Sequence, residues 1–86
     1  MASYRLEISA TAERQLKRLP ARDLRHVAEA IQALGGDPHP RGSRKLQGFA
    51  DVFRIRVGRY RVLYSVERRR VVVVVLKIGQ RKDVYR

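Results

Sequence analysis

The chain contains no cysteine and no tryptophan, and only two of its 86 residues are histidine. Without cysteine there is no disulfide framework and no thiolate metal site. His26 and His39 alone do not make an imidazole metal centre, so neither a metal nor another cofactor is expected. Long apolar runs are also missing. The longest, Val71 to Leu76, is far shorter than the ~20 residues that cross a bilayer. Met1-Ala2-Ser3-Tyr4-Arg5 lacks the apolar stretch of a signal peptide, so the expected location is the cytoplasm, with no membrane partner. Acidic residues are scarce, with 8 Asp+Glu against 20 Lys+Arg and a formal net charge of +12. In so small a chain this imbalance predicts attraction to polyanions and a steep salt dependence of binding.

The length suits one domain, residues 1–86, with one two-layer core. Tyr4, Leu6 and Ile8 alternate with Arg5 and Glu7, the pattern of a half-buried strand. Ser9 is placed to cap a first helix, with Glu13 in its first turn and Ala12, Leu16 and Leu19 at helical spacing up to Pro20. A second helix is expected from about Arg22 to Leu34. Leu24, Val27, Ala28, Ile31 and Leu34 form its apolar stripe, and Gly35-Gly36 stops it. Asp37 to Ser43 reads as a loop that holds His39 between two prolines. Lys45 to Gly48 reads as a short irregular or single-strand piece, and Phe49 is assigned to packing beneath the loop.

The strongest signal is a hairpin, Val52 to Val57 and Tyr60 to Val66 around Gly58-Arg59. A two-residue loop sets Val57 opposite Tyr60, Arg56 opposite Arg61, Ile55 opposite Val62 and Phe53 opposite Tyr64. One face is then apolar and includes Tyr60 and Tyr64. The other carries Arg54, Arg56 and Arg61. Like charges facing across a strand pair are unfavourable, so three guanidinium groups there point to an anion held between them, with a phosphate backbone the leading candidate. A turn from Glu67 to Arg70 follows, its Arg68-Arg69-Arg70 run read as a solvated or phosphate-contacting patch. Val71 to Ile78 is a strand with no polar residue until Lys77, expected to be buried on both faces and central in the sheet, and broken by Gly79. The fold class is α+β in the order β-α-α-β-β-β, with a helical hairpin packed on one face of a mainly antiparallel sheet and the arginines on the other.

This arrangement resembles the RelE/ParE toxins of bacterial toxin–antitoxin systems over nearly the whole chain. The resemblance rests on Ser9-Ala10, Leu19-Pro20 and Asp37-Pro38 at the element boundaries, and on Lys45-Leu46-x-Gly48. It continues through Phe53-Arg54-Ile55-Arg56-Val57-Gly58-x-Tyr60-Arg61-Val62-Leu63-Tyr64, Val73-x-Val75, Gly79-x-Arg81 and Val84-Tyr85. For a RelE-type member it implies a RelE-like fold and an endoribonuclease that enters the ribosomal A site and cuts the messenger RNA there. The RNA's own 2′-hydroxyl attacks the adjacent phosphate, without a metal. It also implies an acidic, RelB-like antitoxin as partner.

Carried over position by position, the resemblance assigns Arg54, Arg56 and Arg61 to the phosphate, Arg81 to the leaving oxygen and Tyr85 to the 2′ proton. Arg44, Lys45, Lys77 and Lys82 are assigned to flanking RNA or ribosomal RNA. The best-known members carry lysine where Arg54 and Arg56 stand. Arginine keeps its proton, so the base falls to Tyr85. Two alternatives share the scaffold: a ParE-type inhibitor of DNA gyrase, and a non-catalytic relative that binds RNA or the ribosome.

Overall fold

The computed structural model describes residues 3–80. Its elements run β1 (Arg5–Ile8), α1 (Ala10–Lys17), α2 (Ala21–Leu34), β2 (Arg44–Lys45), β3 (Val52–Val57), β4 (Tyr60–Glu67) and β5 (Val72–Gln80). Five strands form one sheet in the order β1-β5-β4-β3-β2. β1 runs parallel to β5, and every other neighbouring pair is antiparallel. The expected α+β architecture holds, with the Lys45 region contributing a two-residue edge strand. No helix among the described residues is long and apolar enough to cross a membrane.

The helix boundaries follow from local chemistry. Ser9 caps α1, its Oγ accepting the Ala12 N–H at 3.0 Å. Pro20 precedes the first residue of α2, where its fixed φ suits the entry and its missing N–H costs nothing. Gly35 ends α2 for a different reason from the one its type suggests. It has a helical φ of −64°. A Cβ there would lie 3.2 Å from the Tyr4 carbonyl oxygen, so the glycine lets β1 pass close to the helix end.

Val27, Ile31 and Leu34 of α2 and Ala12 of α1 are buried against one sheet face, made of Ile55, Tyr60, Val62, Tyr64, Val66, Val73, Val75 and Ile78. Leu16, Leu19 and Ala30 complete the interface. Both hairpin tyrosines lie in this core with their hydroxyls satisfied. Tyr60 donates to Asp23 at 2.8 Å and Tyr64 to the Pro38 carbonyl at 2.7 Å. Burial pushes the Tyr64 phenol up to about 12.

Several expectations need correction. Gly79 does not break the last strand, which continues to Gln80. That strand begins at Val72, because Val71 adopts a left-handed φ of 55°, a conformation that a β-branched side chain strongly disfavours. Phe49 is 59% exposed and is not packed beneath the loop. Ile8, expected on the buried side of β1, is 42% exposed.

A β-bulge lies between β4 and β5. Tyr64 pairs with Val75 and Leu63 with Lys77, leaving Leu76 as the extra residue. Strict alternation would put Lys77 on the same face as Val73 and Val75. The bulge reverses this, turning Ile78 into the core and Lys77 outward. Side chains near α1 satisfy the freed backbone groups. Ser9 Oγ donates to the Leu76 carbonyl at 2.8 Å, and Gln15 Oε1 accepts the Ile78 N–H at 2.6 Å.

Candidate functional site

The sheet face away from the helices collects the cations. The β3–β4 register is the one expected from the two-residue loop, with Arg56 opposite Arg61 and Val57 opposite Tyr60. Gly58 has φ 60°, as the first position of such a turn requires. Arg44 on β2 stands opposite Arg54, and Arg54 opposite Leu63, which pairs in turn with Lys77. A row Arg44–Arg54–Leu63–Lys77 therefore crosses four strands. Beside it runs Arg56–Arg61–Gly79, where the glycine leaves the space next to Arg61 clear of any side chain from β5.

Directly opposed residues have Cα atoms only ~4.5–5.5 Å apart, so the pairs Arg44/Arg54 and Arg56/Arg61 keep positive charge concentrated. Among the described residues no carboxylate lies within ion-pair distance of Arg44, Arg54 or Arg56; the ion pairs are Arg5–Glu7, Lys17–Glu13, Arg59–Asp23 and Arg70–Glu67. Arg54 and Arg61 are half-buried and Arg56 is exposed. The guanidinium groups of such a surface offer forked donors of a geometry suited to phosphate oxygens.

The hairpin is fastened to the helix layer at its turn. Asp23 accepts the Tyr60 hydroxyl and lies 3.6 Å from the Arg59 guanidinium, which itself sits 5.8 Å from the centre of the Tyr60 ring. The hydrogen bond to Asp23, followed by burial, raises the Tyr60 phenol above its ordinary value. Arg59 is thus matched by a carboxylate, whereas among the described residues Arg54 and Arg56 are not.

Of the residues singled out in the sequence, the fold brings Arg54, Arg56, Arg61, Arg44 and Lys77 onto one face. Lys45 stands opposite Phe53, on the other parity of β2, and does not join them. Arg81, Lys82 and Tyr85 lie outside the described residues. His26 is exposed on α2. His39 packs its ring edge-on to Phe53 at 4.7 Å and has a structural role in the loop. Sequence reasoning missed the Asp23 anchor, the Arg44–Arg54 pairing and the support that Gln15 gives the bulge. The order Lys77-Ile78 was the available clue to the bulge, since it falls out of step with the alternation set by Val73 and Val75. Among the described residues no group of three or more His, Cys, Asp or Glu is clustered as metal ligands would be.

The fold is that of a small α+β domain with a basic sheet face backed by a helical hairpin, and comparison with known proteins narrows it. The profile of the family described as "ParE toxin of type II toxin-antitoxin system, parDE" matches residues 6–85. The chain is 36% identical over 84 residues to Toxin RelG of Mycobacterium tuberculosis, covering 96% of this chain and 97% of that one. It is 30% identical over 86 residues to Putative toxin RelE1 of Methanocaldococcus jannaschii, covering 96% of each. Among solved structures, the archaeal RelE–RelB complex from Pyrococcus horikoshii superposes with a TM-score of 0.82 at 34% identity, covering 93% of this chain and 97% of that one. The toxin–antitoxin complex RelBE2 from Mycobacterium tuberculosis gives 0.81 at 33% identity, covering 93% and 100%. The chain belongs to the RelE/ParE superfamily, as a toxin of a type II toxin–antitoxin system.

Proposed function

We propose that this toxin is a RelE-type endoribonuclease that cuts messenger RNA in the ribosomal A site. The observation that carries this reading is the opposed pair Arg56/Arg61, with Arg44, Arg54 and Lys77 on the same face and, among the described residues, no carboxylate within ion-pair distance of Arg44, Arg54 or Arg56. Closely spaced cations on a rigid sheet suit a phosphate that gains negative charge during reaction.

In the proposed step the 2′-oxygen forms a bond to the adjacent phosphorus and the bond to the 5′-oxygen breaks. Arg54, Arg56 and Arg61 hold the non-bridging oxygens. Tyr85, as phenolate, takes the 2′ proton, and Arg81 stabilises the departing 5′-oxygen, which takes a proton from solvent water, so that one RNA end is left as a 2′,3′-cyclic phosphate and the other as a 5′-hydroxyl. Arg44, Lys45, Lys77 and Lys82 contact flanking RNA or ribosomal RNA. The proposed site of action is the cytoplasm. The proposed inhibitory partner is an acidic, RelB-like antitoxin, because solved relatives are RelE–RelB complexes and a chain of +12 net charge has acidic surface as its natural complement.

The test is induction of the toxin in cells, followed by primer extension on several transcripts. Cuts confined to translated frames support the nuclease. DNA-damage signalling without RNA cuts marks the ParE-type gyrase inhibitor, and neither response marks a non-catalytic binder.

A further inference from the structure

At the outer edge of the sheet a gap opens where β2 stops. β2 covers only Phe53 and Arg54, and among the described residues no strand stands beside the next turnward residues of β3 on that edge. Gly42, with φ 91°, takes the chain away from the sheet at this point. The result is a cavity of about 470 Å³, floored by Ala30, Ala33, Pro40 and Val57. Its rim carries Arg41, Arg44, Arg54 and Arg56. The size falls in the range of small-ligand sites.

The wall formed by the loop is braced. The Tyr64 hydroxyl holds the Pro38 carbonyl at 2.7 Å, Asp37 Oδ1 accepts the His39 N–H at 3.0 Å, and the Ser43 N–H bonds the Pro40 carbonyl at 3.0 Å.

The backbone of β3 points polar groups into this gap. In a strand the N–H and C=O of one residue face the same edge, and the edge alternates along the chain. The Leu46 N–H bonds the Val52 carbonyl, and the Val66 N–H bonds the Asp51 carbonyl. Even-numbered residues of β3 therefore face the β2 side. Arg54 is opposite Arg44 there, and Arg56, the next one, aims its N–H and C=O into the cavity.

We infer that this cavity seats one unstacked base of the RNA strand, next to the phosphate held by Arg54, Arg56 and Arg61. A neighbouring donor and acceptor on one residue match one base edge, an apolar floor suits the base plane, and rim guanidinium groups suit the phosphates on either side. The inference rests on the RNA reading proposed above and adds to it a determinant of nucleotide preference. An added peptide strand is the competing occupant of a free sheet edge. It fits less well, because only Arg56 faces outward between Arg54 and the turn at Gly58-Arg59, whereas strand addition draws on several such residues.

The experiment measures binding of the full chain to ribosomes programmed with a message whose A-site codon carries one 2′-deoxynucleotide at the cleavage position, which blocks the reaction and fixes the register of the strand. An abasic nucleotide is moved along the strand. The expected result is a loss of about tenfold at one position adjacent to the deoxynucleotide and little elsewhere. Ala33→Phe, which fills the floor from the exposed face of α2, should abolish that positional loss and leave the salt dependence unchanged. A flat abasic scan, or absence of binding to these ribosomes at low salt, overturns the inference. So does an Ala33→Phe variant that keeps the positional loss, or one that weakens an acidic peptide instead. Because binding is read and not cleavage, a positional loss in a toxin that cuts no RNA in cells would refute the nuclease reading alone. A flat scan in a toxin that does cut would refute the pocket alone.

Discussion

Gln15 reaches from α1 to accept the backbone N–H of Ile78 at 2.6 Å, and so holds the last strand in its bulged register. The contact decides which way Lys77 and Ile78 face. Gln15→Leu leaves the Ile78 N–H without its partner, at an expected cost of about 1–3 kcal/mol. Gln15→Glu retains an acceptor and should lose less. Urea denaturation of both variants measures the difference, and equal losses would remove the special role of the oxygen.

Arg56→Ala should abolish toxicity without destabilising the fold. Relief of the Arg56/Arg61 opposition should leave the protein as stable as before or more stable by up to ~1 kcal/mol. Binding to RNA should weaken, with the log–log salt slope falling by about one phosphate contact. Thermal melts paired with a growth assay decide this; a variant that unfolds, or one that stays fully toxic, contradicts the phosphate clamp.

Tyr85→Phe tests the proposed base. Single-turnover cleavage on programmed ribosomes should slow by ~10²-fold or more, as loss of a general base does. Ribosome affinity should change little. The wild-type rate should rise with pH and the variant should lose that dependence. Cleavage at the wild-type rate would assign Tyr85 to packing.

The Tyr64 phenol makes stability fall at high pH. Its folded-state value of about 12 lies above the ordinary 10.0, so the folded chain holds this proton more tightly than the unfolded chain does. The associated stability, on the order of 2 kcal/mol, is fully present below pH ~10 and is lost as pH rises through about 12. Tyr64→Phe should flatten this part of the pH profile while costing stability at neutral pH, because the Pro38 carbonyl loses its donor. Chemical denaturation at neutral and alkaline pH reads both effects.

Val71→Gly should raise stability. The left-handed φ of 55° costs a non-glycine residue ~1–2 kcal/mol, whereas glycine adopts it freely, at some expense in unfolded-state entropy. A net gain of up to ~1 kcal/mol is expected in thermal melts, and a clear loss would mean that the valine side chain contributes more by packing than its backbone costs.

The hairpin was legible because local chemistry determines it: Gly58-Arg59 allows a two-residue loop, and that loop leaves one register. The Ser9 cap and the Val27-Ile31-Leu34 stripe were legible for the same reason, since each depends on neighbours close in the chain. The bulge at Leu76 was not, because an inserted residue is set by what the opposite strand and Gln15 provide. The pairing of Arg44 with Arg54 depends on how the loop from Asp37 to Ser43 is pinned by Tyr64, a contact between distant segments. Gly79 read as a breaker by its type, yet opposite Arg61 it continues the ladder. Tyr60 and Tyr64 were correctly placed in the core, but the partners of their hydroxyls, Asp23 and Pro38, became visible only in three dimensions.

The parallel pairing of β1 with β5 has a consequence for biosynthesis. β5 lies between β1 and β4, so the first strand made has no sheet neighbour until residues 72–80 have been added. The helical hairpin can form early, but its apolar stripe lacks most of the surface it buries against. Pairing over so long a chain separation is slow and all-or-none in character. A nascent chain halted after Arg70 should therefore remain open to protease, and the basic face should assemble only after β5 has left the exit tunnel. The protein then reaches its toxic conformation late, which gives an antitoxin made alongside it time to meet the chain as it closes.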